Sequence, residues 1–162
     1  MSRLLGVDLG ERRIGLALAE AEDHPARPLA TIRRGRSHDA DAQTIARVST
    51  EQAIDELVVG LPLEASGTEG TQARLTRQWV AAIAPIVGLP ITFRDERLTS
   101  HVAEQRLGPM KRGRSGGPPT PAQREEYRSR VDREAAAIIL QDELDARAAL
   151  RLQGRRDMEA SR

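Results

Sequence analysis

Residues 4–9 and 14–19 are two short apolar runs with only Gly10-Glu11-Arg12-Arg13 between them. Strands joined by so short a link can pair only antiparallel, so the chain opens on a β-hairpin. Residues 29–33 predict a weaker third strand, after the breakers Pro25 and Pro28. From Asp39 the pattern turns helical: Ile45, Val48 and Ile54 recur at near-helical spacing, with Asp39 or Asp41 placed to cap the start. Residues 57–62 are a continuous apolar run of the kind a buried parallel strand shows. A glycine-punctuated loop at 64–70 leads into a helix over 71–87, with Leu75, Trp79, Ile83 and Ile86 or Val87 on its apolar face.

A short strand at 91–93 then ends on Arg94-Asp95-Glu96-Arg97, and Thr99 is expected to cap a brief helix containing Val102, Ala103 and Leu107. Residues 108–121 hold four glycines, four prolines and several basic residues, a composition that predicts a flexible segment. A long helix is expected from about Gln123 to Leu150, with Val131, Ala135, Ile138, Ile139 and Leu144 turned inward. The tail at 151–162 lacks apolar periodicity and is expected to fray. A hairpin followed by alternating helix and strand predicts one α/β domain over residues 1–150. Its sheet should be mixed, antiparallel on one side and parallel on the other, with helices packed around it.

Composition narrows the chemistry. Only 2% of the 162 residues are aromatic, so the core must rest on Val, Ile, Leu and Ala. Cysteine is absent, which excludes disulfides and thiolate metal sites and fits a cytoplasmic setting. No stretch reaches the roughly 20 apolar residues a membrane helix needs, and the first residues do not read as a signal peptide. The net charge of +1 hides an asymmetry: from Arg106 to Arg130 seven basic residues face two acidic ones, 7 − 2 = +5. Nucleic acid is a natural partner for such a segment, and a solvated basic loop is the plainer alternative.

Three carboxylates stand out. Asp8 lies inside Leu4, Leu5, Val7 and Leu9, where an unpaired charge is costly. It either binds a cation or bonds the backbone of the next turn. Glu96 follows the strand at 91–93, on the edge where α/β sheets place their sites. Its neighbours Arg94 and Arg97 also offer it an ordinary ion pair. Asp132 opens the apolar stripe of the long helix, where a favourable helix-dipole contact is the other reading. Three oxygen donors suit Mg²⁺ or Mn²⁺, and two such ions are the expected means of activating water and stabilising a leaving oxygen in phosphodiester cleavage. His24 and His38 fall in loops, and His101 is a weak supporting candidate.

Four blocks of sequence together resemble the YqgF/RuvX family, known as Holliday-junction-resolvase-like proteins or pre-16S rRNA nucleases. They are Leu5-Gly6-Val7-Asp8-Leu9-Gly10 with Arg13-Ile14-Gly15; Val58-Val59-Gly60-Leu61-Pro62-Leu63 with Gly67-Thr68-Glu69-Gly70; Asp95-Glu96-Arg97-Leu98-Thr99-Ser100; and Val131-Asp132 with Ala135-Ala136 and residues 138–141. The resemblance implies an RNase H-like fold: a five-stranded mixed sheet, with strands 1–3 antiparallel and 1, 4 and 5 parallel. It also implies a metal site, and catalytic centre, of Asp8, Glu96 and Asp132. Arg13, Gly67, Gly70, Arg97, Arg128 and Arg130 are the expected substrate contacts. The helix start after Gly67 and Gly70 suits a phosphate held by backbone N–H groups, though capping by Thr68 or Thr71 would explain the loop as well.

Two departures stand out. The related RuvC resolvases carry a further acid three residues beyond the helix aspartate, where this chain has Ala135. The basic stretch, lysine-rich in the family, is here Arg124, Arg128 and Arg130.

The expected partner is nucleic acid, either pre-rRNA or branched DNA, and a homodimer if junctions are resolved symmetrically. Two rivals remain at this level. The segment from Asp8 to Gly15 also resembles the phosphate loop of actin-like and sugar-kinase ATPases, which need two such domains. A non-catalytic nucleic-acid-binding module is the other.

Overall fold

The computed structural model describes residues 2–162. Its elements run β1 (Leu4–Leu9), β2 (Arg13–Ala19), β3 (Arg27–Arg33), α1 (His38–Glu51), β4 (Glu56–Pro62), α2 (Thr71–Val87), β5 (Ile91–Glu96), α3 (Thr99–Leu107) and α4 (Pro121–Ala160). The sheet order is β3-β2-β1-β4-β5. β1 pairs antiparallel with β2, and β2 with β3, while β1, β4 and β5 run parallel. This is the mixed five-stranded sheet that the sequence predicts.

Alternation along the strands sorts the two faces. Leu5, Val7, Ile14, Leu16, Leu57 and Val59 point to one side and pack with Ile45, Trp79 and Ile83 from α1 and α2. Leu4, Ala17, Ala19 and Val58 point to the other and pack with Ala136, Ile139, Leu140 and Leu144 of α4. α3 rests on α4 through Ala103, Val131, Ala135 and Ile138.

The second face is built from small residues, and the reason is geometric. α4 lies so close to β2 that a Cβ on Gly15 would overlap the backbone of Asp132. A Cβ on Gly6 would come within 2.8 Å of both the Ala136 carbonyl oxygen and the Leu140 Cβ. Glycine at these two strand positions is what lets the helix backbone dock directly on the sheet.

Several local expectations are revised. α1 is capped by Ser37, whose hydroxyl accepts from the Ala40 N–H, and not by Asp39 or Asp41. Asp41 is instead buried, accepting bonds from the Gly35 N–H (2.6 Å), the Trp79 indole N–H (3.0 Å) and Arg34 Nε (3.3 Å). Ile54 lies beyond the end of α1, yet it is buried. On α2 the buried stripe is Ala73, Thr76, Trp79, Val80 and Ile83, so Leu75 and Ile86 are turned outward. Leu98 rather than Thr99 occupies the cap of α3, in left-handed backbone. α4 starts at Pro121, two residues before Gln123, because Thr120 and Gln123 form a reciprocal capping box. It also runs on to Ala160 rather than ending near Leu150. Good helix formers sustain it there, since the side chains from 149 onward are exposed.

Residues 108–120 form no helix or strand. They are nonetheless tied to α4, by the Tyr127 hydroxyl on the Gly108 carbonyl (2.8 Å) and by Gln123 Nε2 on the Arg112 carbonyl (3.1 Å).

Two substitutions test this architecture. Gly15→Ala should destabilise the protein by about 3 kcal/mol in denaturant titrations, because helix or strand must move to admit one methyl group. Asp41→Ala should cost about 3 kcal/mol, by stranding the Trp79 N–H and Arg34. A loss below about 1 kcal/mol in either would contradict the packing described here.

Candidate metal and nuclease centre

Asp8 and Glu96 lie at the carboxyl ends of the parallel strands β1 and β5, and Asp132 of α4 is near enough for its charge to act on Asp8. Asp8 is the penultimate residue of β1, and the strand's alternation puts it on the α4 side with Gly6 and Leu4. It pairs across the hairpin with Gly15, the residue over which the Asp132 backbone passes. The close docking of α4 thereby carries the Asp132 side chain to the end of β1. Glu96 ends β5 and lies against Gly60 of β4: a Cβ there would fall 2.9 Å from its carboxyl carbon and 2.6 Å from Ile139 Cδ1.

Proximity shows in the electrostatics. Burial pushes the Asp8 carboxyl well above its ordinary range, and the nearby charges of Glu96 and then Asp132 push it the same way. Glu96 is pushed up to about 7, chiefly by burial, with a smaller push from Asp142. The nearby Thr99 side chain acts against that shift. The threonine expected to cap α3 is buried and lies near the glutamate. One carboxylate oxygen of Glu96, Oε2, is buried with no hydrogen-bond partner.

Asp132 has a strong partner. Arg13 Nε donates to its Oδ2 at 2.6 Å, and the Arg13 Nη1 lies 3.5 Å from Glu125 Oε2. Arg13, Arg128 and Asp132 line an open cleft of about 410 Å³ with Gly10, Glu11 and Arg12. The same three residues line a neighbouring hollow of about 440 Å³ beside α3.

The other expected substrate contacts are dispersed. The Arg97 guanidinium lies against Gly67, in the space a Cβ would fill, and the loop that carries Gly67 is held to β5 by the Leu63 N–H on the Glu96 carbonyl (2.9 Å). Gly70 caps α2 without a side-chain bond, and the Glu64 carboxylate sits directly against it. That carboxylate stands where a bound phosphate would be expected. Arg130 is turned away from Arg128 and lines a separate cavity with Lys111, Tyr127 and Arg133. His101 makes a 3.3 Å contact with Gln105 on exposed α3.

Among the described residues, no three His, Cys, Asp or Glu side chains stand close enough to enclose one ion. The donor chemistry nonetheless fits a hard cation: all the groups are oxygen donors, the charges of Glu96 and Asp132 raise the proton affinity of buried Asp8, and a buried Glu96 oxygen lacks a partner. Sequence reasoning singles out the three acids but not Gly60 and Thr99, which lie close to Glu96. Their signal was present only as a glycine inside an apolar strand and a threonine three residues after the acid.

Comparison with known proteins bears on this site. The family described as "RuvX: Holliday junction resolvase" matches residues 2–146. A protein of Anaeromyxobacter sp. (strain Fw109-5), named "Putative pre-16S rRNA nuclease", is 44% identical over 147 residues, covering 91% of this chain and 99% of its own. A protein of the same name from Chloroflexus aggregans is 44% identical over 144 residues, covering 89% and 94%. Among solved structures, T. thermophilus RuvC in complex with Holliday junction substrate aligns with a TM-score of 0.48 at 16% identity, covering 91% of this chain and 96% of that one. The yeast mitochondrial Holliday junction resolvase Ydc2 aligns at 0.40 and 12%, covering 90% and 81%. No helix of the described residues is long and apolar enough to cross a membrane. The match along residues 2–146, together with relatives at 44% identity over nearly their whole length, places the chain in the RuvX family of nucleases.

Proposed function

We propose that the protein is a divalent-metal-dependent nuclease that cleaves phosphodiester bonds in structured nucleic acid, with the 5′ end of pre-16S rRNA as its substrate. The observation that supports this reading is the state of Asp8, whose proton affinity is raised by burial and by the nearby charges of Glu96 and Asp132. Carboxylates kept at such cost are what a hard cation repays.

Asp8, Glu96 and Asp132 would hold Mg²⁺ or Mn²⁺, in one or two ions. When bound, the metal supplies activation of the attacking water and neutralisation of charge on the leaving oxygen. The rest falls to the chain. Gly60 leaves the room that the Glu96 carboxylate occupies, with Thr99 close to it. Arg13 and Arg128 line the cleft beside Asp132 and suit the phosphodiester backbone. Arg130 and Lys111 extend a basic surface along α4. Pre-rRNA processing would place the protein in the cytoplasm.

A second reading is favoured by the family's own description as a resolvase. Cutting a four-way DNA junction symmetrically needs two active sites, hence a homodimer. Purified protein with Mg²⁺ or Mn²⁺, offered pre-16S rRNA and a four-way junction side by side, separates the readings. Accurate trimming of the RNA supports the first, and paired nicks by a dimer the second. Cleavage of neither substrate would leave only the binding-module reading.

Asp8→Asn should lower cleavage at least about 100-fold. At pH 8 it should leave the metal-free protein as stable as wild type or more so, since a buried charge is removed. Wild-type cleavage rates in this variant would refute the assignment.

The pH dependence follows from Glu96. With its folded value raised from 4.5 to about 7, the native state binds more protons than the unfolded chain in that window. The metal-free protein should therefore lose stability as pH rises from about 4.5 to about 7, as seen in Tm, while Mn²⁺ affinity climbs over the same range. A Tm that rises across this interval in the metal-free protein, and a Glu96→Gln variant with the same profile, would contradict it.

A further inference from the structure

Arg13 occupies a position that a catalytic metal would contest. It opens β2 two residues before Gly15, and its carbonyl accepts the Gly10 N–H at 2.9 Å, which closes the hairpin turn. Its side chain therefore springs from a fixed backbone point beside the end of β1. From there Nε donates to Asp132 Oδ2 at 2.6 Å, and Nη1 lies 3.5 Å from Glu125 Oε2. The Arg13 and Asp132 side chains are 17% and 20% exposed, so the pair is largely withdrawn from water yet opens on the cleft.

A carboxylate in so small a space does not need two positive partners. A divalent ion drawn in by Asp8, Glu96 and Asp132 would sit a few ångströms from the guanidinium, and like charges repel strongly where water is scarce. Arg13 has somewhere to go. The cleft it shares with Arg128 is the space beside Asp132 that we assign to the substrate backbone. A phosphate offers a guanidinium the same paired-oxygen geometry as a carboxylate.

We propose that Arg13 is a resident counter-ion for Asp132, which releases that carboxylate when a divalent cation binds and transfers its guanidinium to the scissile phosphate. This rests on the metal-dependent reading above and deepens it. The ion pair sets a threshold for metal binding that bound substrate lowers, by giving the displaced guanidinium a new anion. Metal and nucleic acid then bind cooperatively through one side chain.

The experiment compares wild type, Arg13→Gln, Arg13→Lys and Arg12→Gln, with Mn²⁺ affinity read by EPR without substrate and single-turnover cleavage at saturating Mn²⁺. Arg12 lines the same cleft but makes no bond to Asp132, so its variant should keep wild-type Mn²⁺ affinity. Arg13→Gln should bind Mn²⁺ on the order of tenfold more tightly and yet cleave about 100-fold more slowly. Arg13→Lys retains charge without the planar fork. It should bind Mn²⁺ like wild type and cleave slowly, and it carries the test if Arg13→Gln does not fold.

A merely structural clamp would move both quantities the same way, so weaker or unchanged Mn²⁺ binding in Arg13→Gln overturns the inference. So does wild-type cleavage by either Arg13 variant. If wild type itself binds no Mn²⁺, the metal-dependent reading falls and this inference falls with it. If wild type binds and cleaves but Arg13→Gln shows no gain in affinity, only the inference falls.

Discussion

The close docking of α4 on the sheet is the constraint from which the rest follows. Gly15 and Gly6 admit the helix backbone to distances that no side chain would allow. That contact fixes the helix along its length, so Asp132 arrives beside Asp8 while Ile139 arrives over Gly60, next to Glu96. A bulkier face would hold α4 further out and leave the acids on separate elements with water between them. The small residues of β1 and β2 thus belong to the site as much as to the core. Their cost is dispersion contact, which the opposite face supplies instead through Leu, Val, Ile and Trp79.

Electrostatically the centre is arranged against its own comfort. Asp8 meets two further carboxylates, and Glu96 keeps one buried oxygen without a partner. Elsewhere the chain treats charge differently. Arg147 binds Glu22, Glu56 and Glu143 together, and Asp41 accepts three bonds. Against those satisfied pairs, the crowding of Asp8 and the unpartnered Glu96 oxygen stand out, and local cost of this kind is what functional sites carry.

Much of this was legible in the residues. The hairpin, the parallel strand at 57–62 and the inward stripe of α4 rest on periodicities that long-range packing only reinforces. Asp8 was visible because a carboxylate inside an apolar strand has few innocent explanations. What escaped depends on neighbours distant in sequence. Asp41 looked like a cap because nothing local reveals Trp79, thirty-eight positions away, waiting for an acceptor. Thr99 looked like a cap for the same reason, its neighbour Glu96 being set by where β5 ends. Counting turns from Trp79 puts Leu75 inward, whereas the buried stripe of α2 runs through Ala73, Thr76, Trp79, Val80 and Ile83. The dispersal of Arg128 and Arg130 into different cavities follows from helical geometry over two residues, and was lost by reading charge as a block.

The chain has a single tryptophan, and Trp79 is fully buried among α1, α2 and the sheet face they cover, with its N–H bonded to Asp41. α4 and the acidic centre lie on the opposite face, which contains no indole. Intrinsic fluorescence will therefore follow one layer of this three-layer molecule, and remain silent to a loosening of the layer that carries Asp132. An optical melting curve and a loss of activity need not coincide here, since each observes a different side of the same sheet.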